Sequence, residues 1–347
     1  MVSETSDFNF LSSLKHLSGP LTLSWDITNK CNFNCAHCLN CSNDQSKHDF
    51  SDELNKDDVT RLLKQIQDIR PYSMCICGGE PTLSPYLFRT IKEISSVGTI
   101  VNMVSNGYLI DDAFAKSLNS AGLSLCQISL DSDIEDEHDS FRGVKGAYRR
   151  AINAIKSIVK AKIDLAISFV PTKFNLPHFD NYYRLLESLG CKLVRIMPLL
   201  PMGRGLHHFN ELEPTGEDYF KFVLDIKKYN DKSNKQLRIE WGDPLEHIYL
   251  AKYLPRPVPI NMEIKSNGDI SPSIYLPISV GNIRRHSLKE YWDAGFNRIW
   301  GHSDVMALTD LIHTLEDFKT LSLQTWNIHR KTIDLIDDRR KNHAANK

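Results

Sequence analysis

The chain has 347 residues and a formal net charge of -1, with 41% hydrophobic and 24% charged residues. This length is enough for one α/β barrel or for a large domain with a smaller appendage, and the composition is ordinary for a globular protein. A charge so close to neutral provides no general attraction to nucleic acid or to an anionic membrane, so neither is predicted as a partner. No apolar run approaches the roughly 20 residues of a membrane span and the N-terminus is polar, so a cytoplasmic location is predicted.

Strand and helix patterns alternate along the first 205 residues. A strand is predicted at 21–28, where apolar and polar residues alternate, followed by a helix at 55–70 and a strand at 73–77. The pattern then repeats, with strands at 99–105, 123–131, 163–170 and 192–199 and helices at 85–95, 111–119, 145–160 and 177–189. Six strands joined by right-handed helical crossovers predict a parallel sheet that curves into a barrel or partial barrel, with reactive groups beyond the carboxyl ends of the strands.

The alternation ends near Gly205. We therefore expect an N-terminal segment at 1–20, a barrel at 21–205 and a small α+β extension at 206–347. In the extension, helices are predicted at 217–229, 288–299, 304–318 and 325–336, a strand at 237–241 and a hairpin turn at 267–269. The polar tail at 339–347 is predicted to be disordered.

Three cysteines, Cys31, Cys35 and Cys38, follow the first strand at Cys-x3-Cys-x2-Cys spacing. All eight cysteines lie between Cys31 and Cys191, and four of them fall within residues 31–41, a spacing that suits metal ligation in a reducing compartment better than disulfides. Three thiolates on one loop can hold three irons of a cubane and leave the fourth open to another ligand. A zinc site, inert buried thiols and the participation of Cys41 stay open as alternatives.

The sequence resembles the radical S-adenosylmethionine (SAM) enzymes over residues 21 to about 205. The resemblance rests on the three-cysteine loop, on Gly78-Gly79-Glu80-Pro81 after the second strand, on Ser105-Asn106-Gly107 after the third and on the stretch 129–143 after the fourth. It implies an α/β fold, a partial (β/α)6 barrel, with a [4Fe–4S] cluster whose unique iron is chelated by SAM. It also implies that an external one-electron reductant, such as flavodoxin or ferredoxin, drives cleavage of SAM to a 5′-deoxyadenosyl radical that abstracts hydrogen from a substrate.

The resemblance assigns cofactor contacts to the strand ends. Glu80 is expected to take the methionine ammonium, Arg142 the methionine carboxylate and Ser129 the ribose hydroxyls, while paired glycines let the backbone approach the ligand. The full set of expected SAM contacts is Gly78, Gly79, Glu80, Pro81, Asn106, Ser129, Arg142 and Ser168. A capping role for Ser129 and a surface ion pair for Arg142 are the structural alternatives.

The remaining cysteines and basic residues receive simpler interpretations. Cys77 is a candidate to return a hydrogen atom to a substrate radical, although such a cysteine is more often a small buried hydrophobe. The other strand cysteines, Cys75, Cys126 and Cys191, are predicted to lie in the core, away from the active face. Two polar features after the sixth strand, Arg204 and the pair His207-His208, are interpreted as solvated side chains.

Residues 262–300 resemble the C-terminal extension of the SPASM or twitch subgroup. In that subgroup the hairpin is followed by proline and a cysteine that binds an auxiliary cluster, whereas here Pro272 is followed by Ser273. No cysteine follows Cys191, so this region has no thiolate for a second cluster, and a single cluster is predicted. We therefore expect a redox-neutral or reductive reaction, such as epimerisation or rearrangement, on a ribosomal peptide or small natural product. A sugar- or nucleoside-modifying enzyme and a non-catalytic, metal-stabilised protein with a decayed barrel are the alternatives.

Overall fold

Six parallel strands form the centre of one sheet. The computed structural model describes residues 17–231, 237–243, 245–253, 260–325 and 331–338. The central strands are β1 Thr22–Asp26, β2 Ser73–Cys77, β3 Ile100–Ser105, β4 Leu125–Ser129, β5 Asp164–Phe169 and β6 Leu193–Ile196. They pair side by side in chain order, as the predicted strand and helix alternation requires.

Amphipathic helices cover the outer face of this sheet. They are α1 Lys56–Ile69, α2 Leu87–Ser95, α3 Asp112–Ala121, α4 Glu135–Arg142, α5 Ala147–Lys160 and α6 Phe179–Ser188. In α1, for example, the apolar residues Leu62, Leu63 and Ile66 are fully buried at helical spacing, and Asn55 caps the helix N-terminus. Helix α4 was not predicted from the sequence. Most of its residues are polar and only two, His138 and Arg142, are buried, so it lacks the apolar periodicity that indicates a helix.

Four of the six later strands pair at the edges of the same sheet, and the other two form a separate two-stranded sheet. They are β7 Arg238–Trp241, β8 Asn261–Ile264, β9 Asp269–Ser271, β10 Ile278–Ser279, β11 Gly281–Asn282 and β12 Lys331–Thr332. β7 extends the sheet beyond β6, and β8 runs parallel to β1 on the opposite edge. β9 pairs antiparallel with β8, which confirms the predicted hairpin. The proposed division at residue 205 stays a prediction, but strands from both sides of it share one sheet.

The helices of the C-terminal half differ in part from the prediction. They are α7 Arg204–Leu212, α8 Gly216–Asp231, α9 Glu246–Tyr253, α10 Leu288–Ala294, α11 Ser303–Thr309 and α12 Leu315–Thr325. The single helix predicted at 304–318 is thus two helices. The helix predicted at 325–336 is wrong over residues 331–336, because β12 lies there and pairs in parallel with β10, whereas residues 326–330 lie outside the described part of the chain. The predicted disordered tail at 339–347 lies outside the described residues, as does most of the segment 1–20.

The sheet curves around a polar interior. A space of about 300 Å³, which we call the barrel cavity, lies inside the sheet and is lined by residues of β1, β2, β3, β4, β6 and β8. These residues are Thr22, Leu23, Ser24, Ser73, Cys75, Asn102, Met103, Val104, Leu125, Gln127, Arg195 and Asn261. Arg195 on β6 donates to the Gln127 side chain on β4 across this space, at 3.1 Å. The α/β partial barrel is therefore confirmed. Across the part of the chain that the structure describes, every helix is too short or too polar to cross a membrane.

Candidate active site

The three cysteines after β1 open onto one cavity. This space, about 270 Å³ and here called the cysteine cavity, is lined by Cys31, Cys35 and Cys38 together with residues that follow β2, β3 and β4. The three thiols also share a small apolar cluster with Phe33 and Ala147. Cys41 belongs to neither the cavity lining nor this cluster, and its backbone turns into the left-handed region at φ 49°. The structure thus separates Cys41 from the other three.

The three cysteine sulfurs are spread more widely than the ligands of a single zinc ion. Four ligands around one zinc at about 2.3 Å bring sulfur atoms to within about 3.8 Å of each other. In the described structure, the sulfur atoms of the three cysteines do not all lie within 4.8 Å of one another. A cubane, in which each cysteine binds a different iron, tolerates that wider separation.

Paired glycines after β2 hold the cysteine loop against the barrel. Gly79 N–H donates to the Thr28 carbonyl at 2.7 Å, and Glu80 N–H donates to the Lys30 carbonyl at 2.8 Å. A Cβ on Gly79 would lie 2.7 Å from the Lys30 carbonyl carbon and 2.8 Å from the Asn29 oxygen. A Cβ on Gly78, at φ 131°, would overlap with the Thr28 carbonyl oxygen. Both glycines line the cysteine cavity, but the backbone that they approach most closely is that of the loop before Cys31.

The Glu80 side chain joins two strand-end loops. It is 1% exposed and accepts hydrogen bonds from the Ser105 hydroxyl at 2.8 Å, from the Asn106 backbone N–H at 2.8 Å and from Thr82. Burial raises the pKa of Glu80 even though these hydrogen bonds act in the opposite direction. The carboxylate that was expected to take the methionine ammonium therefore already fixes the loop after β2 to the loop after β3.

The other expected SAM contacts divide into two groups. Asn106 and Ser129 line the cysteine cavity, and the Asn106 side chain donates to Asn32 at 2.8 Å. Ser168 lies beside Ser129 in the β4–β5 ladder but outside the cavity lining, and Pro81 begins a short 3-10 turn that also lies outside it. The roles of all these residues toward SAM stay predictions.

Arg142 is buried in an ion pair that the sequence did not indicate. Its Nε donates to Asp131 Oδ2 at 2.6 Å, and one terminal nitrogen lies 3.9 Å from Cys35 Sγ. Asp131 also accepts from the Val170 N–H at 3.0 Å and donates its own N–H to His138. Burial alone would raise the pKa of Asp131, but the charge of Arg142, its hydrogen bond and the electrostatic effects of His37 and His138 together outweigh burial and hold this pKa below its ordinary value. The surface-pair alternative for Arg142 is wrong, since both partners are buried and the guanidinium reaches the cysteine cavity.

Arg204 clamps the cysteine loop instead of lying in solvent. Its side chain donates to the Cys35 carbonyl at 2.9 Å and to the Ser42 carbonyl at 3.0 Å, and its N–H donates to the Cys38 carbonyl at 2.9 Å. The prediction of a solvated arginine is therefore wrong; no local pattern marks a contact between residues so far apart in the chain. The prediction for His207 and His208 is confirmed, because both side chains are exposed.

His37 is a site residue that the sequence analysis passed over. It stacks on Phe141 with ring centres 4.3 Å apart and lines the cysteine cavity. Burial lowers the pKa of His37 to about 3, so the ring is neutral, and its Nδ1 has no hydrogen-bond partner within the described part of the chain. A buried polar atom without a partner beside a cavity indicates that a ligand completes the site. Its position between Cys35 and Cys38 is the sequence feature that could have identified His37 as a site residue.

The strand cysteines are not all core residues. Cys126 and Cys191 lie in the main apolar cluster, as predicted. Cys77 lines the cysteine cavity, but Cys75 faces the barrel cavity, with its sulfur 3.3 Å from that of Cys77. The core prediction for Cys75 is wrong, because residues two apart on a strand share a face and this face is the inside of the barrel.

A charged pair from β1 and the segment after β8 closes the other side of the cysteine cavity. Lys265 Nζ lies 2.9 Å from Asp26 Oδ2, and both side chains line the cavity. Asp26 ends the strand that leads to the cysteine loop, so this ion pair ties the C-terminal region to the site. No sequence pattern marks either residue as part of the site.

Comparison with known proteins agrees with this arrangement. The model of the Radical SAM superfamily matches residues 25–186, which run from β1 to α6. The AdoMet-dependent heme synthase of Methanosarcina barkeri is 25% identical over 295 residues, 80% of this chain and 83% of that protein. Mycofactocin maturase MftC of Mycolicibacterium smegmatis is 27% identical over 301 residues, 83% of this chain and 72% of that protein.

Solved structures show the same fold. Streptococcus suis SuiB bound to S-adenosylmethionine superposes with a TM-score of 0.68 at 18% identity, covering 89% of this chain and 74% of that chain. SuiB bound to the precursor peptide SuiA gives a TM-score of 0.67 at 16% identity, covering 93% of this chain and 77% of that chain. At these identities the likeness supports the fold alone.

Proposed function

We propose that this chain, whose residues 25–186 match the model of the Radical SAM superfamily, is a radical SAM enzyme that cleaves SAM at a single [4Fe–4S] cluster and abstracts hydrogen from a peptide or small natural product. The observation that carries the proposal is the shared cavity. Three thiols, the glycine pair after β2, Ser129 at the end of β4 and a buried arginine all line the same space at the carboxyl ends of the strands. A non-catalytic protein has no physical need for this combination.

The residues present fit the two cofactors. Cys31, Cys35 and Cys38 would hold the cluster, and the bound cluster with SAM supplies a 5′-deoxyadenosyl radical. Arg204 holds the loop carbonyls so that the thiols face the cavity. His37 Nδ1, which has no hydrogen-bond partner among the described residues, and the Arg142 guanidinium offer polar contacts for SAM on the same side.

Asp131 keeps the Arg142 charge available at the cavity. By pairing with Nε, it orients the guanidinium and leaves terminal nitrogens for an anionic group of SAM. His138, whose pKa burial lowers to about 4, stays neutral and adds no competing charge beside this pair. The Arg142 charge thus faces the cysteine cavity, where it would meet the carboxylate of SAM.

A single cluster is supported by the loop after β9. Ser273 stands where the SPASM-like pattern has a cysteine, and it is 3% exposed. Its hydroxyl accepts from the Tyr275 N–H at 3.1 Å, and its carbonyl accepts from the Ser271 hydroxyl at 2.7 Å. The position that would ligate a second cluster is used for internal hydrogen bonds of the loop.

The substrate class is inferred from relatives and from the cavity. MftC is named a maturase and SuiB was solved with a precursor peptide, so a peptide is the first substrate to test. Cys77 faces the cysteine cavity, where its thiol would return a hydrogen atom to a substrate radical; this favours a redox-neutral outcome such as epimerisation. A flavodoxin or ferredoxin in the cytoplasm would supply the electron.

Anaerobic reconstitution tests the proposal directly. We expect about four irons per chain, and 5′-deoxyadenosine when SAM and a chemical reductant are added. Cys35→Ala should lose both iron and deoxyadenosine, while Cys41→Ala serves as the matched control. A colourless protein with one zinc and no deoxyadenosine would show that the metal-stabilised binding protein is the correct alternative.

A further inference from the structure

Three exposed cations lie around the outer side of the cysteine loop. They are Lys30, Lys145 and Arg150, here called the basic patch, and none of them forms an ion pair within the part of the chain that the structure describes. The whole chain has a formal net charge of -1, so the positive charge of the patch is local and does not follow from a generally basic composition.

Each cation of the patch adjoins a residue that packs around the site cysteines. Lys30 directly precedes the first of these cysteines. Lys145 follows Val144, and Arg150 comes three residues after Ala147. Val144 and Ala147 both pack in the small apolar cluster that contains the three thiols. The backbone positions of the patch are therefore fixed at the cysteine loop and at the segment that covers it.

Two aromatic rings connect the patch to the thiols. The central carbon of the Arg150 guanidinium lies 5.1 Å from the centre of the Tyr108 ring, and the centres of the Tyr108 and Phe33 rings are 5.7 Å apart. Phe33 is 2% exposed and belongs to the apolar cluster of the thiols. A protein that binds over Arg150 is thus separated from the cysteine loop by two side chains in contact.

Acidic side chains of the neighbouring helix do not pair with the patch. Glu135 pairs instead with Arg149 at 2.8 Å, so Arg149 is not counted in the patch. Asp139 accepts hydrogen bonds from the backbone N–H groups of Gly146 and Tyr148. The patch thus keeps three positive charges that no carboxylate in the described structure pairs with.

We propose that the basic patch is the docking surface for an acidic one-electron donor protein, of the flavodoxin or ferredoxin type. The inference rests on the proposed function, because only a protein that holds the cluster needs such a donor. A basic patch alone would fit several anionic partners, but its position over the thiols favours a partner that delivers an electron. One electron leaves the donor, which is oxidised, and reduces the cluster, and no bond or proton is exchanged.

The size and chemistry of the patch suit such a partner. Opposite charges on two proteins guide their encounter and fix their orientation. Electron-transfer complexes bury little surface and are short-lived, so a few charges around one contact point are sufficient. Leu109, which follows Tyr108 and is 41% exposed, provides an apolar contact beside the cations.

The test measures docking and cluster reduction on the reconstituted holoprotein, with a flavodoxin of net negative charge as the probe. The variant combines Lys145→Glu with Arg150→Glu and leaves Lys30 unchanged, because Lys30 adjoins the first cluster ligand. In about 0.1 M salt we expect the variant to bind flavodoxin about 10-fold more weakly in titration calorimetry, and the visible cluster absorbance to bleach about 10-fold more slowly in stopped flow. In about 1 M salt, where charges are screened beyond about 3 Å, wild type and variant should be alike.

Two controls separate docking from damage to the site. Dithionite in excess reduces the cluster without a protein encounter, so wild type and variant should then form deoxyadenosine at equal rates. Lys221→Glu combined with Lys227→Glu makes the same charge change at exposed lysines of α8 and should behave as wild type with both reductants. The inference is overturned if charge reversal in the patch leaves flavodoxin binding and cluster reduction unchanged, or if it slows the dithionite reaction equally.

Failure of the proposed function would have a different signature. If wild type forms no deoxyadenosine with dithionite, the proposed activity fails, and docking is then judged by calorimetry alone. Flavodoxin binding that weakens on charge reversal would retain the docking surface. Equal binding by wild type and variant, or no binding by either, would overturn it.

Discussion

Replacing Gly79 by alanine would show whether the glycine pair supports the cluster through the cysteine loop. The added Cβ would lie 2.7 Å from the Lys30 carbonyl carbon, whereas ordinary contacts begin at 3.4 Å, and the neighbouring atoms are all backbone. Relief requires the segment before Cys31 to move by about 1 Å, since no flexible side chain can give way. A displacement of that size in a catalytic site commonly costs about 10²-fold in rate.

We therefore expect Gly79→Ala to fold but to bind iron poorly. The overpacking should lower the free energy of unfolding by about 1–3 kcal/mol. Iron per chain after anaerobic reconstitution should fall clearly, and deoxyadenosine formation should fall by about 10²-fold. Iron analysis, circular dichroism and a timed deoxyadenosine assay measure these three quantities separately.

The control is Gly216→Ala, because a Cβ there meets nothing within 4 Å. It should match wild type in iron content and in rate. If Gly79→Ala also kept its iron and lost less than about half of its rate, the packing argument would be refuted, because a 1 Å shift of the ligand loop could not leave the site intact.

Three further substitutions test other contacts of the site. Cys41→Ala should retain about four irons per chain where Cys35→Ala retains none, and iron loss from Cys41→Ala would show that the ligand assignment is wrong. Asp131→Asn should weaken SAM binding and lower the free energy of unfolding by roughly 3–5 kcal/mol, because Arg142 keeps its buried charge without a counter-ion. Titration calorimetry measures the binding and urea unfolding measures the stability. An unchanged free energy of unfolding would contradict the ion pair. Burial raises the pKa of Glu263 to about 7, so the folded state holds this proton more tightly than the unfolded chain, and its stability falls as pH rises from about 4.5 through 7. Glu263→Gln should then raise the unfolding free energy by up to about 3 kcal/mol at pH 8 and change it little at pH 4.5, whereas an equal effect at both values would count against the buried charge.

Local patterns in the sequence were sufficient for the central sheet and for placing three cysteines on the loop after its first strand. The strands were predictable because each is bounded by turn residues and separated by an amphipathic helix, so no long-range information was needed. The error at Cys75 was avoidable, since strand alternation alone puts Cys75 on the face of Cys77. The incorrect helix prediction at 325–336 was not avoidable, because β12 is defined by its pairing with the distant strand β10.

The parts of the site that escaped prediction depend on contacts between distant residues. Asp131 pairs with a side chain eleven positions later, and Arg204 reaches carbonyls 162 and 169 positions earlier. Propensity and periodicity describe only neighbours in sequence, so neither contact leaves a local signal. The family resemblance supplied the expected role of Arg142 but not the carboxylate that holds it.

The parallel pairing of β1 with β8 has a consequence for how the protein is made. Thr22 and Asn261, which face each other in this ladder, are separated by 239 positions. The strand that leads into the cysteine loop therefore lacks one of its two neighbours until most of the chain has left the ribosome. Contacts of such long sequence separation form late and slowly. We expect iron to be loaded after synthesis, and a chain that stops before residue 261 should expose the edge of β1 to degradation.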